Sequence, residues 1–138
     1  MKNLVFVAIA VVLFSACLKS NDVPEPDRIL VPMNFSRVIT PDSTQVGDTM
    51  VAQVTVTGSN LCYRFEGYDG ARNGVSEEFD IFAVGSIPNP NKKDTTCPDI
   101  QYSKDTVLRI TPKTPGKLTL KFYNGSTIFK VDTVVVYN

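Results

Sequence analysis

Histidine is absent from the 138 residues, and that absence narrows the chemistry open to this chain. A serine or cysteine nucleophile normally hands its proton to a neighbouring imidazole or an equivalent base. Such triads are excluded, and no lysine is spaced to stand in for the imidazole. Paired carboxylates are the next resource. Glu77-Glu78-Phe79-Asp80 is the only acidic cluster, and on an extended strand Glu78 and Asp80 share a face while Glu77 points away. Two carboxyl groups flanking a glycosidic bond could hydrolyse it, but a solvated strand face accounts for the same pattern. Calcium takes about six to eight oxygen ligands, often from closely spaced aspartates. Asp94, Asp99 and Asp105 flank one loop without Asp-x-Asp-x-Asp-Gly spacing, so a loop calcium site stays open. The expectation is a protein without catalytic residues or cofactor.

Binding is better supplied than catalysis. The segments 68–74 and 87–97 read as long loops, and long loops on a rigid scaffold are where such domains place recognition. Tyrosine and arginine are enriched at interface hot spots, which makes Tyr68, Arg72 and Tyr102 the candidate contacts for a protein or glycan partner. The same segments would also serve as ordinary connections, and the absence of tryptophan weakens the glycan version. Lys and Arg together number 14, as do Asp and Glu, and Lys92-Lys93 is the only adjacent basic pair. Nucleic acid needs clustered basic residues and is excluded as a partner.

The N-terminus carries the most specific signal. Met1-Lys2-Asn3 precedes an apolar run, Leu4 to Phe14, then the small residues Ser15 and Ala16 and then Cys17. A charged start, an apolar middle and small residues at the cut make a secretory signal. The run is far shorter than the roughly 20 residues of a membrane-spanning helix. Leu13-Phe14-Ser15-Ala16-Cys17 resembles the lipobox of bacterial lipoproteins, with Phe14 in the place of the usual branched aliphatic residue. The resemblance implies cleavage before Cys17 and acylation of that cysteine with three chains. One chain binds a bilayer only marginally, whereas several anchor firmly. The chain is therefore expected to be exported and held by Cys17 on a bacterial membrane, the outer membrane by preference, with the periplasmic face and the cell surface both open.

Export bears on the other two cysteines. In an oxidising compartment Cys62 and Cys97 are expected to pair as a disulfide, while a zinc site would need four ligands in a chain without histidine. Closing that loop would stabilise the fold by roughly 3–4 kcal/mol on the chain-entropy model.

These residues must be positioned by strands. After residues 1–16 as signal and 17–27 as a polar, proline-broken tether, the pattern from Arg28 to the end is period two. Met50, Ala52, Val54 and Val56 alternate with polar residues, as do Leu118, Leu120 and Phe122. Phe129, Val131, Val135 and Tyr137 share one face of the last strand, with Val134 and Val136 on the other. Asn124-Gly125 signals a type I′ hairpin. Further strands are expected near Ile29–Ile39, Leu61–Tyr68, Phe79–Val84 and Thr106–Thr111, the first an edge strand because of Pro32. The stretch from Thr106 through Phe122 to the last strand resembles the final three strands of bacterial immunoglobulin-like domains. An immunoglobulin-like antiparallel β-sandwich of about seven strands over residues 28–138 is the resulting expectation. Its function would be that of a non-enzymatic, membrane-anchored envelope lipoprotein binding a protein or glycan. A carboxylate-based hydrolase is one alternative, and a structural or assembly component acting through an exposed sheet edge is another.

Overall fold

The computed structural model describes residues 24–72, 77–92 and 95–138. The expected signal segment, Cys17, Asp94 and the side chain of Arg72 lie outside the described residues. Eight strands follow in order: β1 Arg28–Ile39, β2 Ser43–Gln45, β3 Met50–Gly58, β4 Arg64–Arg72, β5 Glu78–Pro88, β6 Tyr102–Ile110, β7 Gly116–Asn124 and β8 Thr127–Tyr137.

The chain is all-β, but it is not an immunoglobulin-like sandwich. The strands form a single mixed sheet, ordered β2-β8-β7-β5-β1-β3-β6 with β4 added on β5, curled into a half-barrel. Two pairings are parallel, β2 with β8 and β5 with β7. The sheet stays continuous because β1 is shared. Arg28–Met33 pairs with β5 and Asn34–Ile39 with β3, with a shift in register between Phe35 and Arg37. Alternation tells that a strand is half-buried; it carries no information about which neighbour it bonds to. That is why the strand pattern was legible and the sandwich was not.

Pro32 sits on a strand in the middle of the order rather than at its edge. Each half of β1 nevertheless has one ladder neighbour only, so a missing N–H at Pro32 is tolerated as on a true edge. β2, three residues long and parallel to β8, is too short to leave a periodic trace.

The core fills the concave side. Val54 and Val56 from β3, Leu118, Leu120 and Phe122 from β7, and Val134 from β8 are all essentially sealed from solvent. Each such side chain contributes about 1.5–3 kcal/mol by leaving water. On β8 it is Val134 and Val136 that face inward, while Val131, Val135 and Tyr137 face out. The ladder pairs Leu118 with Val134, and an irregularity between Phe122 and Tyr123 leaves Phe129 as the extra residue. One extra residue exchanges the two faces of a strand. The β7–β8 loop is Gly125-Ser126, one residue later than the Asn-Gly signal suggests, with Gly125 at φ +61°.

Candidate functional site

A half-barrel has an opening, and here it lies between β4 and β6. β4 is paired with β5 alone and β6 with β3 alone, so each presents a free edge to the opening. Side chains bridge it in place of backbone bonds. The Phe65 N–H, pointing away from β5, donates to the Tyr102 hydroxyl at 3.3 Å. The Lys104 ammonium lies 5.5 Å from the centroid of the Phe65 ring, within cation–π range. Beyond these bridges the opening widens into a cleft of about 330 Å³. Tyr68, Asp69 and Gly70 of β4 form one wall, Phe79 and Ile81 of β5 the floor, and Leu108 and Ile110 of β6 the other wall.

Tyr68 is the polar feature of this seam. Its ring stacks on Phe35 at 6.4 Å and meets Phe65 edge-on at 5.1 Å. Its hydroxyl is buried without a partner at hydrogen-bonding geometry. Burial pushes the phenol above the usual tyrosine pKa, and Thr106 on β6 offsets part of that. The aromatic ring is held for packing, and the hydroxyl is enclosed beside Thr106.

Tyr68, expected where a strand passes into a loop, and Tyr102, outside every expected strand, thus stand on β4 and β6 and are brought together at one seam. Arg72 is the last residue of the same strand β4, its backbone paired with Phe79. Tyr102 already uses its hydroxyl within the fold. Sequence reasoning missed Leu108, Ile110, Phe79 and Ile81. Their alternation was visible, but nothing in it distinguishes a residue facing a closed core from one facing an opening.

The carboxylates are placed differently. Glu78 and Asp80 do share the outer face of β5, where Lys121 of β7 ion-pairs with Glu78 at 2.8 Å. That contact is the main reason the Lys121 pKa is raised. Tyr123 beside them is raised first by burial and then by Asp80, and its ring stacks on Phe82 at 5.0 Å. Glu77 accepts from the Thr114 hydroxyl. Glu78 is thus matched to a cation on the outer face of the sheet. Asp105 accepts from the Thr55 hydroxyl at 2.6 Å on the outer face of β6. Among the described residues no three Cys, Asp or Glu side chains come together in a way that could hold a metal ion.

At the other end of β4, Cys62 and Cys97 are bonded, their Cα atoms 5.5 Å apart. The bridge ties the 89–101 connection to the turn before the edge strand β4. Arg28 reinforces the junction. Its guanidinium donates to the carbonyls of Cys62 and Ser86, each at 2.8 Å, and to the Ser86 hydroxyl. That hydroxyl donates in turn to Glu66.

Comparison with protein-family models, with curated proteins and with solved structures finds no match to this chain.

Proposed function

We propose that this chain is an exported lipoprotein anchored through Cys17, and that its half-barrel is a non-catalytic module binding an extended segment of a partner protein at the β4–β6 seam. One observation carries the reading: two unpaired strand edges flank an apolar cleft. A free edge offers a row of N–H and C=O groups to an incoming strand, and a cleft beside it supplies pockets for alternate side chains. The lipobox supports the anchor, and the paired state of Glu78 supports a module without catalysis. The free edges offer backbone groups that a strand can pair with and a sugar cannot, and Ile81, Leu108 and Ile110 suit aliphatic side chains, so a protein partner is preferred to a glycan. An assembly role through the same edges is a variant of this reading.

The test uses the full-length protein in its membrane. A photo-crosslinking residue at Leu108 should capture a partner through one contiguous extended segment. A synthetic peptide of that segment should slow amide exchange in β4 and β6. Capture only from the outer face, at Val51, or unchanged exchange in both strands would overturn the seam.

A further inference from the structure

We infer that the disulfide end of the half-barrel rests against the lipid bilayer, with Leu61 and Ile100 seated in its interfacial layer. This rests on the lipid-anchor reading of Cys17. Leu61 is 48% exposed and Ile100 61% exposed, and they are neighbours. The Pro98 carbonyl accepts from the N–H of both, at 3.3 Å and 2.8 Å. Single exposed aliphatics are ordinary on a protein surface. These two are held together next to the disulfide, at the end of the domain where the chain from Cys17 joins.

The junction between tether and domain is fixed rather than swinging. Asn89, 4% exposed, donates from its side chain to the Pro26 carbonyl at 2.9 Å and from its backbone to that of Asp27 at 2.8 Å. Lys92 ion-pairs with Asp27. Arg28, the next residue, donates to the carbonyl of Cys62, so the start of β1 and the loop bearing Leu61 move as one piece. From Cys17 to Pro24 the chain spans at most about 25 Å when fully extended. The end of the domain nearest the bilayer is therefore this one. A tether this short holds the surface at a high effective concentration, which raises the occupancy of a contact too weak to bind alone. The balanced charge of the chain fits a zwitterionic lipid surface.

The chain has no tryptophan, so one introduced tryptophan reports its own surroundings. Leu61→Trp and Ile100→Trp are compared with Val135→Trp, a site 50% exposed at the opposite end, paired with Ser43. Each full-length acylated variant is reconstituted into phosphatidylcholine vesicles brominated on the acyl chains. Fluorescence at positions 61 and 100 should be quenched about threefold more than at 135, as for side chains ~5–10 Å into the interface. Equal quenching at all three sites, in protein that floats with the vesicles, overturns the bilayer contact and leaves the anchor standing. Blue-shifted emission at 61 and 100 without quenching assigns the surface to a protein instead and also overturns it. Failure to float overturns the anchor and this inference together.

Discussion

The Asn124 side chain completes both backbone hydrogen bonds of Phe35. Its oxygen accepts from the Phe35 N–H at 2.7 Å and its amide donates to the Phe35 carbonyl at 3.1 Å. Phe35 sits where β1 leaves β5 and joins β3, and at that point a side chain from the β7–β8 hairpin replaces a missing strand. The one-residue displacement of the hairpin loop leaves Asn124 in this position.

Replacing Asn124 by alanine should therefore cost about 2–3 kcal/mol, because two backbone groups lose their partners in a partly buried setting. Asn124→Asp keeps the acceptor and loses the donor, and should fall between. Urea denaturation at neutral pH measures both; a loss below about 0.5 kcal/mol for alanine would remove this account of the bend, since most surface changes fall there.

The Tyr68 hydroxyl predicts the opposite sign. Tyr68→Phe removes a buried group without a well-formed hydrogen bond, and stability should hold or rise by up to about 1 kcal/mol. The change should also show in alkali. The folded-state pKa of Tyr68 is raised, so the unfolded chain loses its phenolic proton first as pH rises. The stabilisation is complete below the ordinary tyrosine value near 10 and is lost as pH climbs through the folded one. Lys121 and Tyr123 are raised as well and act in the same direction. Melting temperature should fall between pH 9 and 11 in the parent (~ the range set by ordinary phenol and ammonium values), and less steeply in Tyr68→Phe.

Cys62→Ser with Cys97→Ser should lower stability by roughly 3–4 kcal/mol, as expected for opening a loop of 35 residues. Intact mass without reductant should be two hydrogens below that of the reduced chain. Free thiols at both positions would contradict the bridge.

Gly85 tests the fit of β5 against its neighbours. A Cβ there would stand 2.8 Å from the Arg64 carbonyl oxygen and 2.5 Å from the Met33 sulfur. The methionine can move; the β4 backbone cannot without disturbing the ladder. Gly85→Ala should cost about 1–3 kcal/mol, read as a drop in denaturation midpoint with unchanged slope.

The sequence showed local periodicity well and connectivity poorly. Met50 to Val56 and Leu118 to Phe122 face inward as their alternation implied, because burial on one face is written into each strand. Val131 and Tyr137 form as clear an apolar row yet face solvent, since one extra residue at Phe129 decides which row is buried. The sharing of β1 between β5 and β3, and the parallel pairings of β2 and β5, depend on contacts far apart in the chain. Tyr68 and Tyr102 were singled out for their type. That they meet at one seam follows from β4 and β6 facing each other across the opening without a backbone ladder between them.

The double allegiance of β1 has a mechanical consequence. Tension applied through the N-terminal end of β1 would load that strand along its own axis, so its ladders to β5 and then to β3 would be sheared instead of unzipped one bond at a time. The Arg28 guanidinium, gripping Cys62 and Ser86, stands first in the line of pull. A domain pulled from this end would thus resist as a whole before any single strand gave way.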